Sequence, residues 1–66
     1  MTEEGRYLIY LTEHYALAHG IDGSQAMRIF VDHDLLDYIL DMYYTYHTER
    51  VDNAIADLDN MIAAVP

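Results

Sequence analysis

The sequence predicts an all-α protein, a small helical bundle of three long helices and one short helix around a central helix at about residues 35–48. Three observations carry that expectation. Apolar residues recur at spacings of three and four from Tyr7 to Val65, the period of a buried helix face, and nowhere alternate as a strand would. Helix stop and start residues fall between the runs: Gly20, then Asp22 with Gln25, then Asp34. No repeat, low-complexity tract or linker interrupts them, so residues 1–66 form a single domain.

Thr2, Glu3 and Glu4 open the first helix, with the acids near its positive N-terminal end. It runs through RYLIYLTEHYALAH, where Tyr7, Leu8, Leu11, Tyr15 and Ala18 make an apolar stripe widened by Tyr10, His14 and Leu17. Gly20 stops it, since glycine takes the left-handed conformation cheaply, and Ile21 packs back onto the last turn. Asp22 and Gln25 form a capping box for a short second helix, 23–31. Ala26, Met27, Ile29, Phe30 and Val31 then point inward and leave Gln25 and Arg28 to solvent. The last helix, 51–64, carries a seam of Val51, Ile55, Leu58, Ile62 and Val65, with Asp52, Asn53, Asp57, Asp59 and Asn60 away from it.

Between them lies LLDYILDMYYTYHT, residues 35–48, with Asp34 as its N-cap and Asp37 at the third helical position. At roughly 100° per residue, Asp34, Asp37, Asp41, Tyr44, Thr45 and Thr48 gather on one side. Tyr38, Met42, Leu35, Tyr46, Ile39, Tyr43, Leu36, His47 and Leu40 fill a wide arc opposite. So wide an arc must touch neighbours on two sides. His47, on that arc in the last turn, is placed to bond the following loop and pin the last helix.

Composition bounds the function. A chain of this length buries only about 60% of its unfolded surface, and without cysteine it has no disulfide to help. Dense apolar packing or burial against a partner must compensate. Hydrophobic residues make up 53% of the chain and seven residues are Tyr, whose flat ring and polar tip suit half-buried interface positions. Twelve Asp and Glu face three Arg and no Lys, a net charge of −9. Such a surface repels nucleic acid and anionic lipid and favours basic partners, besides keeping a greasy small protein in solution. The acidic N-terminus is the reverse of a signal peptide and no stretch approaches a membrane span, which points to the cytoplasm.

Chemistry is not expected. There is neither a Cys nucleophile nor a Lys for Schiff-base work, Ser24 has no His placed as its base, and paired-acid hydrolysis needs a cleft that 66 residues scarcely make. His33 and Asp37 are spaced for one helix face, but His14 and His19 are not, and a metal needs three or four ligands. No metal, cofactor or catalytic residue is therefore assigned. A helix-turn-helix fails on charge, because Arg28 is the only cation between Gly20 and Glu49. Mimicry of nucleic acid stays open: Asp37 and Asp41 stand ~6 Å apart along a helix, sparse against duplex DNA, until Asp32, Asp34, Asp52, Asp57 and Asp59 are added.

Glu13-His14-Tyr15, Phe30, Asp37-Tyr38-Ile39, His47-Thr48 and the closing IADLDNMI at 55–62 resemble a family of short bacterial helical proteins known as a domain of unknown function. The resemblance spans about residues 6–62. It implies a small protein encoded beside a larger ADP-ribosyltransferase-like toxin, with no catalytic residues to carry over. This chain departs from the pattern in lacking Lys and in its acidity. The expected function is thus a non-enzymatic inhibitor or antitoxin-like neutralising partner of a basic protein, a toxin or a nucleic-acid-binding effector. The alternative is an anti-CRISPR-like decoy filling a nuclease groove. The residues expected to meet the partner are Asp34, Asp37, Asp41, Tyr38, Tyr44, Tyr46, Asp52, Asp57 and Asp59. Pairing into a homodimer is the remaining way to cover a marginal core.

Overall fold

A computed structural model describes residues 1–64, and all the regular structure in them is helical. The order is α1 (Glu3–His19), α2 (Gly23–Asp32), α3 (Leu36–Asp41), α4 (Tyr43–Tyr46) and α5 (Val51–Ala64). The small all-α bundle expected from the periodicity is what forms. Val65, expected to extend the last seam, and Pro66 lie outside the described residues.

The first two helices begin at side-chain caps. The Thr2 side chain accepts the Gly5 N–H at 3.0 Å and caps α1. Asp22 accepts from the Gln25 N–H at 2.8 Å while the Gln25 side chain accepts from the Asp22 N–H at 2.9 Å, the reciprocal box expected. The first helix ends as expected too: Gly20 has φ 66°, Ile21 N–H bonds the Ala16 carbonyl at 3.0 Å, and Gly20 N–H reaches Leu17 at 3.4 Å.

The corner after α2 departs from expectation. Asp34 does not cap α3; Leu35 holds that position with no side-chain bond. Asp34 instead has φ 55°, and its N–H bonds the Val31 carbonyl at 3.0 Å while Leu35 N–H bonds Phe30 at 2.8 Å. That is the same termination Gly20 makes, with Asp where glycine is usual. Its short polar side chain is among the few that tolerate the left-handed region.

The expected central helix is divided at Met42, whose ψ of 4° ends α3, and one turn of α4 follows. The aromatic and β-branched run Tyr43–Tyr46 has weak helical preference of its own, so tertiary contacts set its course. The break leaves the buried face unchanged. Leu35, Ile39 and Tyr46, near the centre of the expected arc, are all buried, and every residue on the polar side is exposed. α1 is the helix touched by α2, α3 and α5, while α4 leans on α5.

The core joins Tyr7, Leu11, Tyr15 and Ala16 of α1 to Ala26 and Phe30 of α2, then to Leu35, Ile39, Tyr46, Ala54, Ile55 and Leu58. On α1 the buried face is turned from the expected stripe, because Thr12 is buried and Ala18 is not. The Thr12 hydroxyl donates to the Leu8 carbonyl at 2.6 Å, so it enters the core with its polar group satisfied. The radius of gyration, 10.9 Å, is that of a tightly folded chain of this length, about 10.8 Å.

Candidate interaction site

The nine residues expected to meet a partner fall into two groups. Asp37 and Asp41 of α3, Tyr44 and Thr45 of α4, and the flanking Asp34 and Thr48 are all exposed. Tyr44 is 76% exposed, and its ring packs edge-on to Tyr43 at 5.3 Å. Asp52 is exposed at the start of α5, where Arg50 donates to it at 3.1 Å; both ends of that pair are solvated, so it contributes little.

Tyr38, Tyr46, Asp57 and Asp59 face the protein itself. Tyr46 is buried, and its hydroxyl donates to Asp57 Oδ2, the same oxygen that accepts from Tyr38 at 3.0 Å. Asp59 takes the Tyr15 hydroxyl on Oδ1 at 2.7 Å and His19 Nε2–H on Oδ2 at 2.9 Å. Positions two apart on a helix point roughly 200° apart, so the two carboxylates flank Leu58, which is fully buried between them. α5 therefore seats its apolar face on the core and is gripped on both flanks by phenols of α1, α3 and α4. Burial first, and then the bond to a carboxylate, push the Tyr15 and Tyr46 phenols well above their ordinary range.

A second aromatic cluster lies where the start of α1 meets α4. Tyr7, Tyr10, Tyr43 and His47 line an open cleft of about 350 Å³, with Glu3 and Arg6 beside them. His47 is exposed and stacks on Tyr43 with ring centroids 4.3 Å apart and planes 7° from parallel. Its Nδ1–H donates to the Tyr43 carbonyl at 2.7 Å, so it closes its own helix turn rather than pinning the following loop. The Tyr43 hydroxyl donates to Glu3 at 3.1 Å. Tyr10, expected to widen the apolar stripe, is half exposed beside the cleft. Helical periodicity could place Tyr7 and Tyr10 on neighbouring positions of α1, but nothing local in the sequence shows that α4 lies against them.

Among the described residues no three His, Asp or Glu side chains converge as a metal site requires, and no helix is long and apolar enough to cross a membrane. Fold and surface thus define a small all-α protein with a net charge of −9 and with Tyr10 and Tyr44 exposed. The chain belongs to the family described as Protein of unknown function (DUF3791), which matches residues 6–64. No curated protein and no solved structure matches it.

Proposed function

We propose that the protein is a non-enzymatic, antitoxin-like partner that neutralises a larger basic protein in the cytoplasm. The partner implied by the family resemblance is an ADP-ribosyltransferase-like toxin encoded beside it. The observation that carries the reading is the exposure of Asp34, Asp37, Asp41 and Tyr44 along the segment that runs from the corner after α2 to α4: three carboxylates and a large aromatic, all open to solvent. An exposed aromatic bordered by charge is the composition of an interface anchor with a steering rim. Asp57 and Asp59, which the decoy reading adds to its charged surface, are half-buried and accept hydrogen bonds from internal phenols.

The test is binding and growth rescue with the product of the neighbouring gene. Tyr44→Ala is expected to weaken the complex by about 2 kcal/mol or more, the cost of losing a hot-spot anchor. Any single Asp→Asn change among Asp34, Asp37 and Asp41 is expected to cost less and mainly slow association. Asp37→Asn with Asp41→Asn should leave the helical circular-dichroism signal intact. Normal binding by Tyr44→Ala, with release of the partner by salt and by competing DNA, would overturn the proposal in favour of the decoy.

A further inference from the structure

The outer face of α1 is a strip that nothing in the fold covers. At about 100° per residue, Ile9, Glu13, Arg6, Leu17 and Tyr10 fall within roughly 100° of one another, opposite the buried Leu11 and Tyr15. All five are exposed. Leu17 is 78% exposed, and Met1, beside the Thr2 cap, 84%. Of the six large apolar residues most open to solvent among the described residues, four are these: Met1, Ile9, Tyr10 and Leu17. Apolar surface gathered along one helix marks a contact, where single exposed residues would not.

Charge says what covers it. The whole chain carries −9, yet the two charges of the strip, Arg6 and Glu13, cancel. Among the described residues neither takes part in an ion pair. Glu3, the next acid, accepts from the Tyr43 hydroxyl and so is turned toward α4. A basic protein would find no surplus of acid here, and an acidic one no surplus of base. One charge of each sign, about two turns apart on a helix, is instead complementary to itself. Turned by a two-fold axis, each copy presents Glu13 to the other's Arg6 and Arg6 to the other's Glu13.

We propose that α1 pairs antiparallel with α1 of a second copy, about a two-fold axis beside Ile9 and Tyr10. Ile9 and Tyr10 of the two copies meet at the axis, flanked by two Arg6–Glu13 pairs. The same register sets Leu17 of each copy against the Met1–Thr2 start of the other. The 17 residues of α1 span about 25 Å, so the contact is one helix wide and belongs with weak, reversible complexes. Exposed ion pairs add little affinity; the apolar contact holds the dimer and the charges choose its orientation. Added salt screens the repulsion between two chains of −9 more than it weakens the pairs, and so tightens the dimer. The inference goes beyond the proposed function and uses none of the residues assigned there to the partner.

Sedimentation of the intact chain alone tests it. Glu13→Arg takes the net charge from −9 to −7, which lowers general repulsion, but it sets Arg against Arg at both pairs. It is expected to weaken the dimer about fivefold, the worth of two exposed pairs, with the helical circular-dichroism signal unchanged. Arg6→Glu combined with Glu13→Arg restores both pairs and the net charge, and should dimerise as the native chain does. The chain has no cysteine, so single cysteines read the geometry. Ile9→Cys should be joined to its copy by a short bis-maleimide; Leu17→Cys should not, because its copies lie about 22 Å apart in this register. A monomeric native chain, a Glu13→Arg dimer as tight as the native one, or a double variant no better than Glu13→Arg overturns the pairing. So does failure of Ile9→Cys to cross-link, or cross-linking of Leu17→Cys. None of these outcomes bears on neutralisation of a partner, which is measured separately.

Discussion

Asp34 is the residue at which local chemistry and backbone geometry disagree most. Its φ of 55° costs an L-residue energy that glycine does not incur, yet the corner after α2 requires it. Asp34→Gly is expected to raise stability by up to about 1 kcal/mol, read from the midpoint of denaturant unfolding. Asp34→Asn, which removes the charge and keeps a residue tolerant of that region, should move the midpoint less. An unchanged or lower midpoint for the glycine variant would show that the carboxylate stabilises the corner in a way its backbone does not reveal. Under the proposed function, the exposed Asp34 carboxylate gives a reason for aspartate to stand where glycine would fold better.

Helix α5 is where element-scale energetics are most concentrated, because Asp57 and Asp59 hold it from both flanks. The Tyr15 and Tyr46 phenols have folded pKa values raised above the ordinary 10.0. Their contribution is therefore fully present below pH 10.0 and is lost as pH rises through the folded values. In an alkaline titration the last phase of tyrosinate absorbance is expected to coincide with loss of helical circular dichroism, since these phenols ionise only as α5 lets go. A complete tyrosinate signal from a still-helical protein would disprove the clamp. This grip is also the part that periodicity could not show. Spacing along α5 correctly sets Leu58 and Ile55 inward and leaves the polar positions outside the seam. That a flanking Asp is half covered depends on phenols 11, 19 and 44 residues away, and such pairings leave no local trace. The caps at Asp22 and Gly20 were legible because both ends of each bond lie within five residues. On the candidate surface, the helical wheel alone gave the exposed side of α3 and α4. The cleft depends on contacts between helices far apart in the chain and stayed hidden.

At the scale of the whole molecule, charge and apolar surface pull in opposite directions. Ile9, Tyr10, Leu17, Val31 and Tyr44 are all exposed by 48% or more, on a chain whose core is small. That surface favours self-association, while −9 on each copy opposes it. Sedimentation is expected to show a dimer at micromolar concentration that strengthens with added salt, with a melting temperature that rises with protein concentration. Association with a basic partner should weaken with salt instead, so the sign of the salt effect separates the two kinds of complex. A monomer with concentration-independent melting at every ionic strength would rule out the dimer.

One carboxylate of α5 serves two phenols at once, and this ties three positions together through descent. A change at Asp57 to an apolar residue strands the buried Tyr46 hydroxyl, whereas Tyr46→Phe removes the need for an acceptor. The tolerated order of substitution is thus fixed: phenylalanine at 46 first, freedom at 57 afterwards. Members of the family that have abandoned the acid at the position of Asp57 should carry Phe where this chain has Tyr46, while the more accessible Tyr38 is left to drift.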